Sequence, residues 1–113
     1  MVADLIKTLQ TSFCKPGSKL NEMINDTIYD GACGHIPDWS SSVSAVMTLI
    51  PKGWGTTDVH QFNDGMWIWG LWKYGTLEKV TSTSCSEYPS IVICIAALKA
   101  REIEDGCLKL KLL

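Results

Sequence analysis

Two histidines, His35 and His60, are the residues of this chain best suited to general acid–base chemistry, since an imidazole titrates near neutral pH. Asp30 and Asp38 stand close to His35 in the sequence, and a neighbouring carboxylate can orient such a base. A hydrolase also needs an activated nucleophile, and the G-x-S-x-G turn that presents a serine is missing. Phosphate-binding loops, H-E-x-x-H and paired carboxylates are missing too. We therefore predict that the protein is not an enzyme, and a small hydrolase using His35 or His60 is kept as a second alternative.

The five cysteines predict no disulfide scaffold and no metal site. Their number is odd and no C-x-x-C pair occurs, which is typical of reduced thiols that fill a core. Cys33 and His35 form one half of a zinc pattern, but a second half is not evident. We expect no metal and no cofactor. The cysteines are Cys14, Cys33, Cys85, Cys94 and Cys107.

The aromatic residues offer a better candidate for function, because five tryptophans stand beside only two phenylalanines and three tyrosines. Trp72 and Tyr74 fall near the end of a predicted strand and are expected at the surface. Lys73 lies between them, and we expect Lys52 nearby. Exposed aromatic pairs anchor protein interfaces or stack on bases. We predict that these four residues contact a partner, and binding of a nucleotide or small ligand is the first alternative.

Core packing is expected for most of the other tryptophans. Trp39 stands just before a predicted helix, where an apolar residue can act as a staple. Trp54 follows a helix end and is expected to pack across it, and Trp67 or Trp69 is expected in the core because their strand is apolar on both faces.

Composition restricts the class of protein further. A chain of 113 residues with 46% hydrophobic residues is a single globular domain, residues 1–113. Ten basic against twelve acidic residues leave a net charge of −2, so we do not expect nucleic acid as a partner. No apolar run approaches the roughly 20 residues that span a bilayer, and no secretory signal is evident. We therefore expect a cytoplasmic protein without a membrane partner.

Helical periodicity organises the first half of the chain. Residues 3–13 predict an N-terminal helix or arm within residues 1–17. Ser18 is expected to cap a second helix, and Asp30-Gly31 to end it. A third helix is predicted from a stripe at Val43, Val46, Met47 and Ile50, and Pro51 ends it.

The period changes to two in the second half. Residues 54–62 predict a strand, residues 63–65 a hairpin turn, and residues 66–72 a return strand that is apolar on both faces. Such a strand is expected to be central and covered on both sides. Residues 77–84 predict an edge strand, and residues 86–104 a closing helix that ends at Asp105-Gly106. Residues 105–113 are expected to form a tail or a short edge strand, beside a body of residues 18–104.

Two separated motifs resemble a known family. Residues 37–54 read PDWSSSVSAVMTLIPKGW and residues 89–101 read PSIVICIAALKAR. Both are similar, in this order, to the phage ABA sandwich domain family of small phage and prophage proteins. The likeness extends over about residues 18–103. Val46 departs from it, since the family favours alanine near that position.

The resemblance implies a fold and a setting but no activity. The expected fold is α+β, a three-layer α/β/α sandwich around a small, mainly antiparallel sheet of three to four strands. The expected protein is a phage or prophage accessory protein in the bacterial cytoplasm, a binding module for a host or phage macromolecule that could act in counter-defence. The apolar middle of the closing helix, residues 91–98, could also form the seam of a homodimer.

Overall fold

The computed structural model describes residues 2–10, 16–32, 34–81 and 88–112, and all of their side chains except those of residues 58 and 106–112. Within these ranges the chain forms four helices and three strands. In order they are α1 (Val2–Leu9), α2 (Ser18–Tyr29), α3 (Val43–Met47), β1 (Trp54–Gln61), β2 (Trp67–Lys73), β3 (Lys79–Thr81) and α4 (Pro89–Leu112).

The strands form one antiparallel sheet in the order β1-β2-β3, so β2 is central as predicted. Between β1 and β2 the turn uses Gly65 at φ 89°, and the Asp64 carboxylate accepts a hydrogen bond of 3.0 Å from the Met66 amide. The register is irregular between Thr56 and Val59, where β1 carries a bulge. The predicted α+β class with a small antiparallel sheet is confirmed.

Helix α4 lies in the middle of the molecule. Its residues 91–98 are all fully buried, because α1 and α3 pack on one side of the helix and β2 and β3 on the other. A helix that is apolar all round is typical of such a position. Residues 91–98 are therefore core of this chain and not available as a dimer seam. The sandwich with the sheet as its middle layer is not confirmed, since among the described elements α3 packs mainly on α4, and α1 on α4 and α2, instead of on the sheet.

The first two helices follow their apolar stripes. Leu5, Ile6 and Leu9 of α1 are buried, and so are Leu20 and Ile24 of α2. The expected cap of α2 differs, because Ser18 is already helical and Gly17 occupies the capping position without a side-chain bond. Helix α2 ends at Asp30, which adopts the left-handed conformation at φ 52°.

Helix α3 is shorter than its predicted stripe. Ser42 caps it, since its hydroxyl accepts a 3.2 Å hydrogen bond from the Ala45 amide. Val46 is buried, but Val43 and Met47 are exposed, so the predicted stripe is wrong at these two positions. After Met47 the backbone hydrogen bonds link residues three apart, the Leu49 amide to the Val46 carbonyl and the Ile50 amide to the Met47 carbonyl, and this tighter turn buries Leu49 instead.

Two predicted boundaries also differ. Strand β3 covers only Lys79–Thr81, and residues 82–84 of the predicted strand lie outside the described residues. Helix α4 begins at Pro89 and continues through Asp105 and Gly106 to Leu112. A glycine inside a helix is unfavourable by about 1 kcal/mol relative to alanine, which is too little to end a helix already held by its neighbours. None of the described helices has both the length and the apolar composition to cross a membrane.

Candidate functional site: the open face of the sheet

The two faces of the sheet have different surroundings. On the inner face, Leu71 and Val80 are buried against Ala96 and Ala100 of α4. We call the opposite side the open face. The register places Gly55 opposite Trp72, His60 opposite Ile68, and Trp72 opposite Lys79. The open face therefore consists of His60, Phe62, Ile68, Trp72, Tyr74 and Lys79, with Gly55 beneath them.

Trp72 and Tyr74 form a pair at one end of the open face. Their ring centroids are 5.3 Å apart and the ring planes are inclined by 69°. The Trp72 indole N–H donates a 2.8 Å hydrogen bond to the Thr76 carbonyl, which holds the ring against the turn after β2. Trp72 is 37% exposed and Tyr74 61%. The predicted surface pair is therefore present, and most of the Tyr74 ring faces solvent.

Gly55 is what allows the hydroxyl end of the Tyr74 ring to approach the backbone of β1. A Cβ atom at position 55 would be 2.1 Å from the Tyr74 hydroxyl oxygen, a distance at which one of the two side chains must move. The Tyr74 amide also donates a 2.9 Å hydrogen bond to the Gly53 carbonyl. Backbone and side chain together fix the position of this tyrosine.

The two predicted lysines are placed differently. Lys73 is half-buried, and its ammonium lies 3.0 Å from the Glu104 carboxylate of α4, the group that also accepts a 2.7 Å hydrogen bond from the Trp54 indole. Successive strand residues point to opposite faces, so Lys73 does not share the face of Trp72 and Tyr74. Lys52 is exposed in the turn that precedes β1, next to Gly53.

Lys79 is a site residue that the sequence analysis did not select. It is exposed and lies directly across the strand pair from Trp72. Side chains opposite each other in an antiparallel pair have Cβ atoms roughly 5 Å apart. Only the register of β2 with β3 reveals this neighbour, and a three-residue strand offers too little pattern to fix a register.

The histidines do not meet a described acid or nucleophile. His60 is exposed, and its ring packs edge-on against Phe62 at 4.7 Å. His35 is exposed in the loop before α3. Among the described residues no group of three His, Cys, Asp or Glu side chains is placed to hold a metal ion. Cys33 lies outside the described residues, while Cys94 is buried in the core on α4.

Asp38 takes part in a polar network on the helical side instead of orienting a histidine. Its carboxylate accepts hydrogen bonds from the hydroxyl of Ser41 and, at 3.0 Å, from the amide of Asn21. These two bonds, that from Ser41 first, lower the pKa of Asp38 below 3.8. The side-chain oxygen of Asn21 in turn accepts a 2.9 Å hydrogen bond from the Ser40 amide, and the Ser40 carbonyl accepts a hydrogen bond from the Ser90 hydroxyl. The network therefore joins α2, the approach to α3 and the start of α4.

The open face is suited to non-covalent contact. It presents aromatic rings and one described ammonium group, that of Lys79. Comparisons with protein-family models, curated proteins and solved structures found no match. The geometry of the open face is therefore the main indication of what it binds.

Proposed function

We propose that this protein is a small, non-enzymatic binding module that contacts a macromolecular partner through its open face. The observation that carries the proposal is that β2 is apolar on both faces, whereas α4 packs on only one of them among the described elements. An antiparallel sheet with one face in water normally alternates apolar with polar residues. The outward residues of β2, Ile68 and Trp72, depart from that rule.

The aromatic end of the open face has the composition of an interface centre. Tryptophan and tyrosine are enriched among the residues that dominate binding energies, because each removes a large apolar area from water with few rotatable bonds. Leu77, in the turn that the Trp72 indole contacts, is 99% exposed. A side chain of this kind gains most from a partner that covers it.

The biological setting of the proposal comes from the two motifs described above. It is that of a phage or prophage accessory protein in the cytoplasm of a bacterial host, with a host or phage protein as partner. In the α/β/α arrangement that the same motifs imply, the layer over the open face is then supplied by the bound partner, because none of the described elements covers that face.

A second candidate function is binding of a nucleotide or similar anionic ligand. Lys79 beside Trp72 is the observation that favours it, since two inclined rings and an ammonium group can receive a planar base and its phosphate. Titration with ATP, monitored by tryptophan fluorescence, tests this candidate. A change that Lys79→Glu abolishes would support it.

The primary experiment is affinity capture from phage-infected bacterial lysate, combined with oxidative footprinting of tryptophan. We expect the wild type to retain a partner that protects Trp72 from oxidation, and Tyr74→Ser to lose it. Met47→Ser is the control, since Met47 is 38% exposed but lies on α3. Equal capture by all three proteins, with Trp72 unprotected, would contradict the proposal.

A further inference from the structure

The open face and its adjoining turn leave several large apolar side chains in contact with solvent. Its exposed fractions are 37% for Trp72, 61% for Tyr74 and 41% for Phe62, and Leu77 of the adjoining turn is 99% exposed. With areas of about 150–250 Å² for each aromatic side chain and somewhat less for leucine, these four residues leave on the order of 400–500 Å² of apolar surface in water. That area lies within the range of roughly 300–600 Å² for the largest apolar patch on a monomeric protein, a patch that is often functional.

The strand edges are poorly suited to receive another strand. Strand β1 carries a bulge between Thr56 and Val59, which interrupts the regular row of backbone groups. Strand β3 has only three residues, and the Lys99 ammonium already donates a 3.0 Å hydrogen bond to the Thr81 carbonyl. The sheet is therefore expected to meet a partner by its face and not by its edge.

We propose that the occupant of the open face is a second copy of this chain, packed sheet against sheet across a two-fold axis. The inference rests on the proposed function and names the partner for the same surface: of the host and phage proteins considered there, it is this chain itself. Two such faces together bury about 800–1,000 Å² from these four residues, and the half-buried neighbours Ile68 and Met66 bring the area toward the lower limit of specific interfaces, about 1,000–1,200 Å². A second copy brings the same apolar area, whereas a nucleic acid needs more positive charge than Lys79 supplies.

The charge distribution is compatible with this symmetry. Lys79 is on β3, at the margin of the open face, and is exposed. A two-fold axis along β2 places β3 of one copy over β1 of the other, so the two Lys79 side chains lie at opposite margins and do not oppose each other. Trp72 and Ile68 of the central strand then lie near the axis, with the two sheets about 10 Å apart.

The test is the molar mass in solution from about 1 to 200 µM, measured by sedimentation velocity and light scattering. We expect the wild type to approach twice 12.5 kDa at the upper end. Trp72→Ser and Tyr74→Ser should each raise the dissociation constant at least tenfold. Met47→Ser should leave it unchanged, because Met47 has nearly the exposure of Trp72 but lies on α3. Circular dichroism of each variant checks its fold, and Tyr74→Ser serves if Trp72→Ser fails to fold.

Three outcomes overturn the inference. A wild type that stays monomeric over the whole range excludes the second copy, and the capture experiment then decides separately whether the face binds another protein. A dimer that survives both aromatic variants excludes this surface. A monomer whose tryptophan fluorescence changes on addition of oligo(dT) identifies a nucleic acid as the occupant instead.

Discussion

Leu71 and Trp72 are neighbours in the same strand, yet they belong to two very different regions of the molecule. Leu71 is fully buried between β3 and α4, while Trp72 is 37% exposed on the open face. Both faces of β2 are apolar, so hydrophobicity does not distinguish them. What distinguishes them is the opposing surface: Ala96 and Ala100 let α4 approach the inner face closely. An apolar strand face is stabilised when another surface packs on it. That surface need not be a helix of the same chain.

The inner face is also tied to α4 by polar contacts that the open face lacks among its described residues. The Glu104 carboxylate receives both the Trp54 indole N–H and the Lys73 ammonium. On the open face, the indole of Trp72 is satisfied locally by the Thr76 carbonyl. The inner face is thus bonded to a helix distant in sequence, whereas the Trp72 indole on the open face is bonded only to the adjacent turn.

The largest predicted effect is on stability, when one side chain of β2 is truncated on each face of the sheet. Leu71→Ala should lower the free energy of unfolding by about 2–5 kcal/mol, because it leaves a cavity against α4. Ile68→Ala, on the half-buried side of the same strand, should lower it by less than about half as much. Urea denaturation followed by circular dichroism measures both. Equal losses would show that the open face is as tightly packed as the inner one.

A smaller effect is expected where Tyr74 lies on Gly55. Gly55→Ala should destabilise the fold by about 1 kcal/mol, the low end for overpacking, since the new methyl group displaces a tyrosine that is largely exposed. In a Tyr74→Ala background the same change should be nearly neutral, so a double-mutant cycle should give a coupling of about 0.5–1 kcal/mol. Gly34→Ala is the control, because nothing lies within 4 Å of its added Cβ. Simple additivity would mean that Tyr74 does not rest on the sheet.

The smallest effect is the loss of stability that protonation of Asp38 causes at low pH. Asp38 lies on the helical side and outside both faces of the sheet, so this loss should not depend on the open face. Its pKa is lower in the folded than in the unfolded chain, so its contribution is complete above 3.8 and disappears as the pH falls through the folded value. Thermal unfolding between about pH 7 and pH 2 should show a steeper acid loss for wild type than for Asp38→Asn. If stability falls equally with pH in wild type and Asp38→Asn, Asp38 is not the cause of the acid loss. As a control, Tyr74→Ser should show the same pH dependence as wild type.

Much of the fold was predictable because its signals are local. The period of two in residues 54–72, with turn residues between, predicted β1, β2 and their hairpin almost to the residue. The burial of Trp39 and Trp54 was also predicted correctly. The end of α4 was not, since Asp105-Gly106 has the composition of a helix stop but continues the helix. The composition of a segment does not tell whether the neighbouring helix is held by tertiary packing.

The candidate site was predictable in part. Trp72 and Tyr74 were selected from their place near a strand end, and they are exposed and in contact. Lys73 was grouped with them by adjacency in sequence, which in a strand places side chains on opposite faces. Lys79 and Gly55 could not be selected, because a bulge in β1 and the short pairing of β3 set their positions.

The amino-acid sequence by itself determined that β2 would be apolar on both faces and that residues 91–98 of α4 would be apolar all round, since both are properties of residue order and period. Only the tertiary structure decided that α4, and not the sheet, is enclosed on both sides. The physical reason is that the two elements compete for the same partners. Eight consecutive fully buried residues of α4 pack against α1, α3 and the inner face of the sheet. The aromatic end of the open face therefore remains exposed to solvent.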